Sequence, residues 1–341
     1  MEQGSSPPAP AKGADRRAVA AATVTVVLWA SAFVSIRSAG EAYDPGPLAL
    51  GRLLSGTVVL GALWLVRREG LPPRGAWPGI VAAGILWFGV YMVALNWGEQ
   101  LVDAGTAALV VNIGPILIAL LGGWLLKEGF SSRLLAGLAV AFAGAAVVGL
   151  SMSGEPIAGK TGSPLLGVLL CVVAAVTYAG GVVSQKPALR HASALQFTTF
   201  ACAIGAAATL PFAGRLAEQA ADAPAGATLN MIYLGVFPTA LAFTTWGYAL
   251  ARTSAGRMGA TTYAVPALVV LMSWALLDEV PGAVTLLGGV LCLAGVAVSR
   301  STPRGGGRRG PRTAAAPAST EVPASAPGAS PSALDHAHTR D

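Results

Sequence analysis

The 341-residue chain is 54% hydrophobic and only 11% charged, with a formal net charge of +6. A soluble domain usually carries about 25% charged residues and needs a charged exterior, so a soluble fold is excluded and lipid is the natural solvent for this surface. The basic residues sit at the ends of apolar runs, which argues for membrane orientation and against nucleic acid as a partner.

Residues 1–18 form a Pro-, Ala- and Gly-rich lead without large apolar content, and are expected to be a disordered tail. Ten apolar stretches follow, at about 19–37, 46–66, 77–98, 104–126, 133–151, 164–185, 194–213, 229–250, 255–277 and 282–299. Each has the length that crosses about 30 Å of hydrocarbon at 1.5 Å per residue. In lipid only helices and closed barrels satisfy the backbone, and runs this long exclude strands. Arg16 and Arg17 before the first stretch would also suit a signal peptide; nine spans behind it favour an uncleaved helix. Residues 301–341, with Arg304, Arg308, Arg309 and Arg312, are expected to be a second disordered tail. The predicted fold is an all-α integral membrane protein of ten transmembrane helices.

With the N terminus in the cytoplasm, the inner side collects Lys12, Arg16, Arg17, Arg67, Arg68, Arg74, Lys127, Arg133, Lys186, Arg190, Arg252, Arg257, Arg300 and the tail arginines. The outer side keeps Arg37, Lys160 and Arg215. This asymmetry places both termini in the cytoplasm, at the cell membrane.

The chain also repeats itself. Ala104 to Val148 overlays Ala255 to Ser299 without gaps, with about 14 of 45 positions identical. Pro115 falls on Pro266, Glu128 on Glu279, Gly137 on Gly288, and Ala143-Gly144 on Ala294-Gly295. At almost the same shift Trp29 falls on Tyr178, Ser35 on Ser184 and Arg37 on Lys186. Residues 19–151 and 164–300 are thus two five-helix repeats. An odd number of spans inverts the second copy, the design of secondary transporters with a midplane site between the repeats.

The chain resembles the drug/metabolite transporter superfamily in its EamA-type branch. The resemblance is carried by Trp29-Ala30-Ser31-Ala32-Phe33-Val34, Arg52-Leu53-Leu54, Ala104-Gly105 with Pro115, and Leu125-Leu126-Lys127-Glu128. Gly235-Val236-Phe237-Pro238-Thr239-Ala240-Leu241-Ala242 continues it through Trp246 and Tyr248 to Ala255 and Pro266. It covers roughly 19–300 and implies a ten-helix carrier of amino acids, other metabolites or drugs. Lys127-Glu128 and Asp278-Glu279 depart from the Gly-Glu usual in the family.

Gly154-Glu155-Pro156-Ile157-Ala158-Gly159-Lys160-Thr161 matches the phosphate-loop pattern. That pattern works between a strand and a helix; here it joins two membrane helices, and Pro156 removes an amide it needs. Cys171, Cys202 and Cys292 lie inside apolar runs, in neither disulfide nor zinc spacing. No metal or organic cofactor is expected.

Arg52 lies about one and a half turns inside the second span, where an ionised group must pair, snorkel or meet an anionic substrate. Arg37 is nearer the outer end of the first. Glu99 and Asp103 flank the turn between spans three and four, as solvated loop residues or, with Asp278, as gate or coupling carboxylates. Glu128 and Glu279 precede the last helix of each repeat and are expected to cap it. No carboxylate lies near a span centre, which argues against exchange of lipophilic cations for protons. Trp29, Ser31, Arg52, Tyr91, Asn96, Asn112, Tyr178, Trp246 and Tyr263 are the candidate substrate-binding residues, with Thr239, Thr244 and Thr262 at similar depth. Asn112 and Tyr263 are matched positions just before Pro115 and Pro266, the candidate hinges, each of which frees a carbonyl one turn earlier. Gly137, Ala141 and Ala145 form a small-residue stripe suited to tight helix packing or to a homodimer surface.

The predicted function is a secondary transporter, an exporter of a small amphiphilic metabolite working by alternating access. A membrane-embedded enzyme and a channel are the rivals. No nucleophile, paired acid or metal set converges within the spans, and paired proline breaks favour a carrier over a channel. A cysteine placed at Gly154 should react with an impermeant thiol reagent added outside intact cells; reaction from the cytoplasmic side alone would invert the topology.

Overall fold

The computed structural model describes residues 16–125, 132–151, 162–252, 261–262 and 264–300, and all regular structure in them is helical. The phosphate-loop-like segment, Lys127, Glu128, Tyr263 and the two tails lie outside the described residues. The first repeat contains α1 (Arg16–Ala39), α2 (Pro45–Arg67), α3 (Trp77–Ala83), α4 (Tyr91–Leu101), α5 (Ala104–Val111), α6 (Gly114–Leu125) and α7 (Ser132–Ser151). The second contains α8 (Pro164–Ala188), α9 (Ala194–Ala208), α10 (Ala213–Asp222), α11 (Ala225–Leu234), α12 (Ala242–Arg252), α13 (Ala264–Leu277) and α14 (Ala283–Arg300).

Five helices are long and apolar enough to cross a membrane: Arg16–Ala39, Pro45–Arg67, Arg74–Leu101, Pro164–Ala188 and Ala225–Leu250. Ala194–Ala208 and Leu210–Asp222 make a sixth if the pair, bent by 52°, is one span. Four shorter apolar helices complete the set among the described residues: Ala104–Ile118, Leu135–Val147, Ala264–Leu277 and Ala283–Gly295. Fewer elements therefore reach spanning length than the ten apolar stretches suggested, and two of the reasons are local. The fourth stretch breaks after Val111, where Asn112 closes α5 and Pro115 has no N–H to extend a helix backwards. The seventh bends at Leu210–Phe212, which contains Pro211, and continues as α10, a polar helix with no buried residue. Val58, Val66, Trp124, Trp274 and Leu287 are all exposed. Such a surface is a liability in water and ordinary contact in lipid.

Two helices contain a π-helical stretch. Gly84–Val90 joins α3 to α4, and Gly235–Leu241 joins α11 to α12. They begin and end 151 residues apart, the same shift that lays Ala104 on Ala255. The two repeats carry the same backbone irregularity at the same place although only Gly84 and Gly235 are identical within it.

The connectors gather at two ends. At one, Asp44 pairs with Arg215, the Tyr43 carbonyl accepts from Gln100, Arg37 pairs with Glu279, and Gly105 packs on Pro281. At the other, Ser193 bonds Glu69, Gln196 Nε2 donates to the Gly70 carbonyl, and Gly75 faces His191.

The most extensive helix contact is between α7 and α14. A Cβ on Gly144 would stand 2.5 Å from the Gly288 carbonyl oxygen, and one on Gly295 would stand 2.4 Å from the Gly137 carbonyl oxygen. Cys292 Sγ lies 3.3 Å from the Ala141 carbonyl oxygen. These are repeat-matched residues: Gly137 corresponds to Gly288, Gly144 to Gly295 and Ala141 to Cys292. Exchanging the repeats therefore turns the Gly144–Gly288 contact into the Gly295–Gly137 contact. The helices run antiparallel about a local two-fold that passes near Ala141 and Cys292. Gly137, Ala141 and Ala145 are buried. The Gly137 and Ala141 contacts with α14 show that these positions serve packing inside the chain.

Gly144→Leu should lose about 1–3 kcal/mol, because the neighbouring atoms are backbone and cannot yield. A thermal melt in detergent reads this as a lowered Tm. Gly214→Ala, with nothing within 4 Å of the added carbon, should leave the melt unchanged.

Candidate functional site

The site begins where α2 crosses the second π-helical stretch. A Cβ on Gly235 would stand 1.9 Å from Ser55 Oγ and 2.3 Å from the Arg52 carbonyl oxygen, so only glycine allows this approach. The crossing brings Thr239 against Arg52. Arg52 Nε donates to Thr239 Oγ1 at 2.8 Å, and that hydroxyl donates to the Leu234 carbonyl, five residues back, at 2.9 Å. Pro238, four residues after Leu234, has no N–H, so this carbonyl is left without its helical donor and is open to the hydroxyl. Arg52 is 2% exposed, and its Nη1 has no hydrogen-bond partner among the described residues. Glu99, fully buried near the end of α4, and Tyr91 act on the guanidinium through space.

Beside Arg52 lies a cavity of about 60 Å³. Its lining joins both repeats: Trp29, Phe33, Trp87, Tyr91 and Asn112 come from the first, and Tyr178, Phe243, Thr262 and Pro266 from the second. The aromatic rings form one connected wall. Trp29 and Phe243 lie 5.5 Å apart, Trp87 and Phe243 4.7 Å, Trp87 and Tyr178 5.3 Å, and Tyr91 and Tyr178 6.1 Å, all tilted or edge-on. No acidic side chain lines the cavity among the described residues. Asn112 reaches it from the break between α5 and α6. It is 7% exposed, and its Nδ2 has no partner among the described residues. The wall can take flat or apolar groups, and the buried unpaired nitrogens on its residues are donors.

The sequence-predicted residues divide into three groups. Trp29, Arg52, Tyr91, Asn112, Tyr178, Pro115 and Pro266 all line the cavity. Ser31, Asn96 and Trp246 do not. Ser31 Oγ bonds the Tyr233 hydroxyl at 2.7 Å. Asn96 Nδ2 donates to the Pro45 carbonyl and so holds the start of α2. Trp246 stacks behind Trp29 at 5.0 Å. Tyr263 lies outside the described residues. Trp87, Phe33 and Phe243 line the cavity without having been expected to, because an aromatic in an apolar run looks like packing.

The carboxylates are redistributed. Glu99 is no solvated loop residue; it is buried. Asp103 caps α5, with Oδ1 accepting from the Thr106 amide at 2.8 Å and Oδ2 from its hydroxyl at 2.5 Å, which occupies both oxygens. Glu279 does not cap the helix that follows it. Its Oε1 accepts from Arg37 Nε at 2.6 Å, 242 residues away, with both side chains about one-fifth exposed. Asp278 is exposed, in a left-handed turn at φ 54°. Arg215, exposed on α10, is raised above its ordinary pKa by its bond to Asp44.

Residues 16–150 and 165–301 each match the EamA-like transporter family. The chain is 36% identical over 284 residues to a probable terminal-alkyne amino-acid exporter of Streptantibioticus cattleyicolor, covering 82% of this chain and 92% of that one. It is 32% identical to an uncharacterized transporter of Bacillus subtilis, covering 80% and 88%. A probable amino-acid metabolite efflux pump of Salmonella typhimurium is 25% identical, covering 82% and 93%. A solved crystal structure at 23% identity shares the fold with a TM-score of 0.56, covering 83% of this chain and 97% of its own.

A double-mutant cycle tests the ion pair at the connector end. Arg37→Glu and Glu279→Arg should each lower Tm in detergent. The double swap should recover most of the loss, with a coupling of about 1 kcal/mol at most, since both groups are partly solvated.

Proposed function

The chain belongs to the EamA-like transporter family, and from that premise we propose that it is a ten-helix carrier that exports a small amphiphilic metabolite of the amino-acid kind through the Arg52 cavity by alternating access. Each repeat supplies five spans. The four shorter apolar helices and the bent pair count as spans alongside the five long ones. Both termini face the cytoplasm, and the two tails flank repeats at 19–151 and 164–300. The outward direction is taken from relatives whose names are exporter and efflux pump.

The observation that carries the reading is a cavity walled by both repeats, with one buried cation and no lining carboxylate among the described residues. The antiparallel α7–α14 contact supports the inversion. If those helices cross the bilayer, a two-fold between them lies in the membrane plane, as alternating access by inverted repeats requires. Pro115 and Pro266 are the hinges in this reading, and Trp29, Tyr91 and Tyr178 the apolar contacts of the substrate. Arg37–Glu279 closes the outer end. Glu99 is the carboxylate placed to couple transport to protons, being buried and in electrostatic contact with Arg52.

Transport in proteoliposomes loaded with a pH reporter tests this directly. Neutral amino acids should move with saturable kinetics and show counterflow, and Trp29→Ala should slow them about tenfold or more, as loss of an aromatic contact of 1.4 kcal/mol or more would. Flux that rises linearly without saturation or counterflow would make the protein a channel. Proton movement that vanishes in Glu99→Gln while flux persists would assign the coupling; identical proton movement in that variant would remove Glu99 from it.

A further inference from the structure

Three buried donor nitrogens belong to residues that line the cavity. Arg52 Nη1 and Asn112 Nδ2 are both N–H donors, both belong to residues more than nine-tenths buried, and both lack a partner among the described residues. Trp29 Nε1, on a third lining residue, is another buried donor without one. A buried N–H left unpaired costs about 1–3 kcal/mol, and more for a charged group. A guanidinium carries five donors in a fixed fork and sheds no proton to escape the cost. Thr239 takes only the Nε donor, and so sets the angle at which the rest of the fork is presented. Glu99 offsets the charge through space but is not among the lining residues, so it does not occupy the cavity side of the fork. The rest of the lining is aromatic or aliphatic, apart from Thr262 and the two tyrosine hydroxyls. Among the described lining residues no acidic side chain would receive an ammonium group.

We propose that the cavity recognises its substrate by a carboxylate, bound by Arg52 Nη1 and Asn112 Nδ2, and is indifferent to whether that substrate carries an α-amino group. The proposal rests on the reading of the cavity as the transport site and narrows its substrate class to apolar carboxylates, with amino acids as one case. Arg52 comes from α2 and Asn112 from the break between α5 and α6, so one carboxylate bridges two elements. Carboxylate binding by a charged, bidentate donor is strong and geometrically selective.

Binding is read by the ligand-dependent rise in Tm of the full-length protein in detergent. Four probes share one side chain: leucine, its deaminated acid 4-methylpentanoate, its methyl ester, and its decarboxylated amine 3-methylbutylamine. Leucine and 4-methylpentanoate should stabilise the protein to within a few-fold of each other, and the ester and the amine should not. Arg52→Gln should weaken both carboxylates about ten- to a hundredfold, the scale of one hydrogen bond to a charged group. Because Arg52 also holds Thr239, Asn112→Ala provides a second variant; it should weaken both carboxylates by a smaller factor while keeping the melt of the ligand-free protein. Equal stabilisation by ester, amine and acid would leave the cavity reading standing and overturn the carboxylate assignment. Stabilisation by leucine but not by 4-methylpentanoate would overturn the indifference to the amine. Failure of all four to bind, with leucine also absent from transport, would bring down the cavity reading and this proposal with it.

Discussion

Arg52 is a permanent cation, 2% exposed and in no contact ion pair among the described residues. Much of the surrounding structure follows from that constraint. The crossing at Gly235 is tight enough that any side chain would collide with Ser55 and the backbone of α2. What the crossing secures is a hydroxyl, Thr239, at hydrogen-bond distance from Nε. That hydroxyl is itself anchored on a carbonyl of the widened π turn. Pro238, four residues on, has no N–H to give that carbonyl, which leaves it to the hydroxyl and so fixes the angle of the fork. The irregular backbone, the glycine and the threonine are thus parts of one device for presenting a guanidinium to an apolar cavity.

The seam between the repeats obeys a different requirement. α7 and α14 approach until backbone meets backbone, through glycines that occupy matched positions. Without a hydrophobic drive between helices in lipid, such contacts depend on close packing of small residues. Exchange symmetry doubles each of them: a single glycine preference, once duplicated, serves two contacts. The same duplication explains why the two π-helical stretches stand 151 residues apart while sharing hardly any residues. The backbone course is kept in both repeats and the side chains are free to differ. Thr239 and Pro238 in one repeat stand where Phe88 and Trp87 stand in the other. One stretch anchors the cation and the other brings Trp87 to the aromatic wall.

Much of this was legible in the sequence, in kind more than in partner. Apolar length marked the helices, and proline marked the break after Val111. Depth marked Arg52, since a charge so far from an end of a span needs a reason. Repeat matching marked the Gly137 and Gly144 positions. Other features left no such trace. A π turn has no side-chain period that distinguishes it from an α-helix, so neither stretch was visible. Trp87 and Phe243 read as packing because their function depends on which face they turn to one another. Glu279 sits where a capping residue would, but its partner Arg37 is 242 residues away, and no local pattern encodes that distance. Asp103 shows the reverse: a residue that could have been a gate is explained by the cap it forms with Thr106 three positions later.

Irregular backbone is tolerated at membrane depth only where protein covers it or a cavity receives it. Here the irregularities are grouped. The first π stretch brings Trp87 to the cavity and the second holds Arg52 there, while the break at Asn112 and the turn at Thr262 both line it. By contrast α7 and α14 are uninterrupted where they meet. The molecule thus separates a closely packed two-fold seam from a set of loosened helices around the cavity. On the proposed reading that separation matters mechanically. A carrier must keep one contact fixed while the helices around its substrate exchange one packing for another. A seam of backbone-to-backbone contacts resists sliding, because any shift drives glycine carbonyls into Cβ atoms on either side. Helices that already lack part of their regular hydrogen bonding have fewer bonds to break when they bend. The substrate carboxylate, bridging Arg52 on α2 and Asn112 at a break, would then join two elements on the loosened side and bias which packing they adopt.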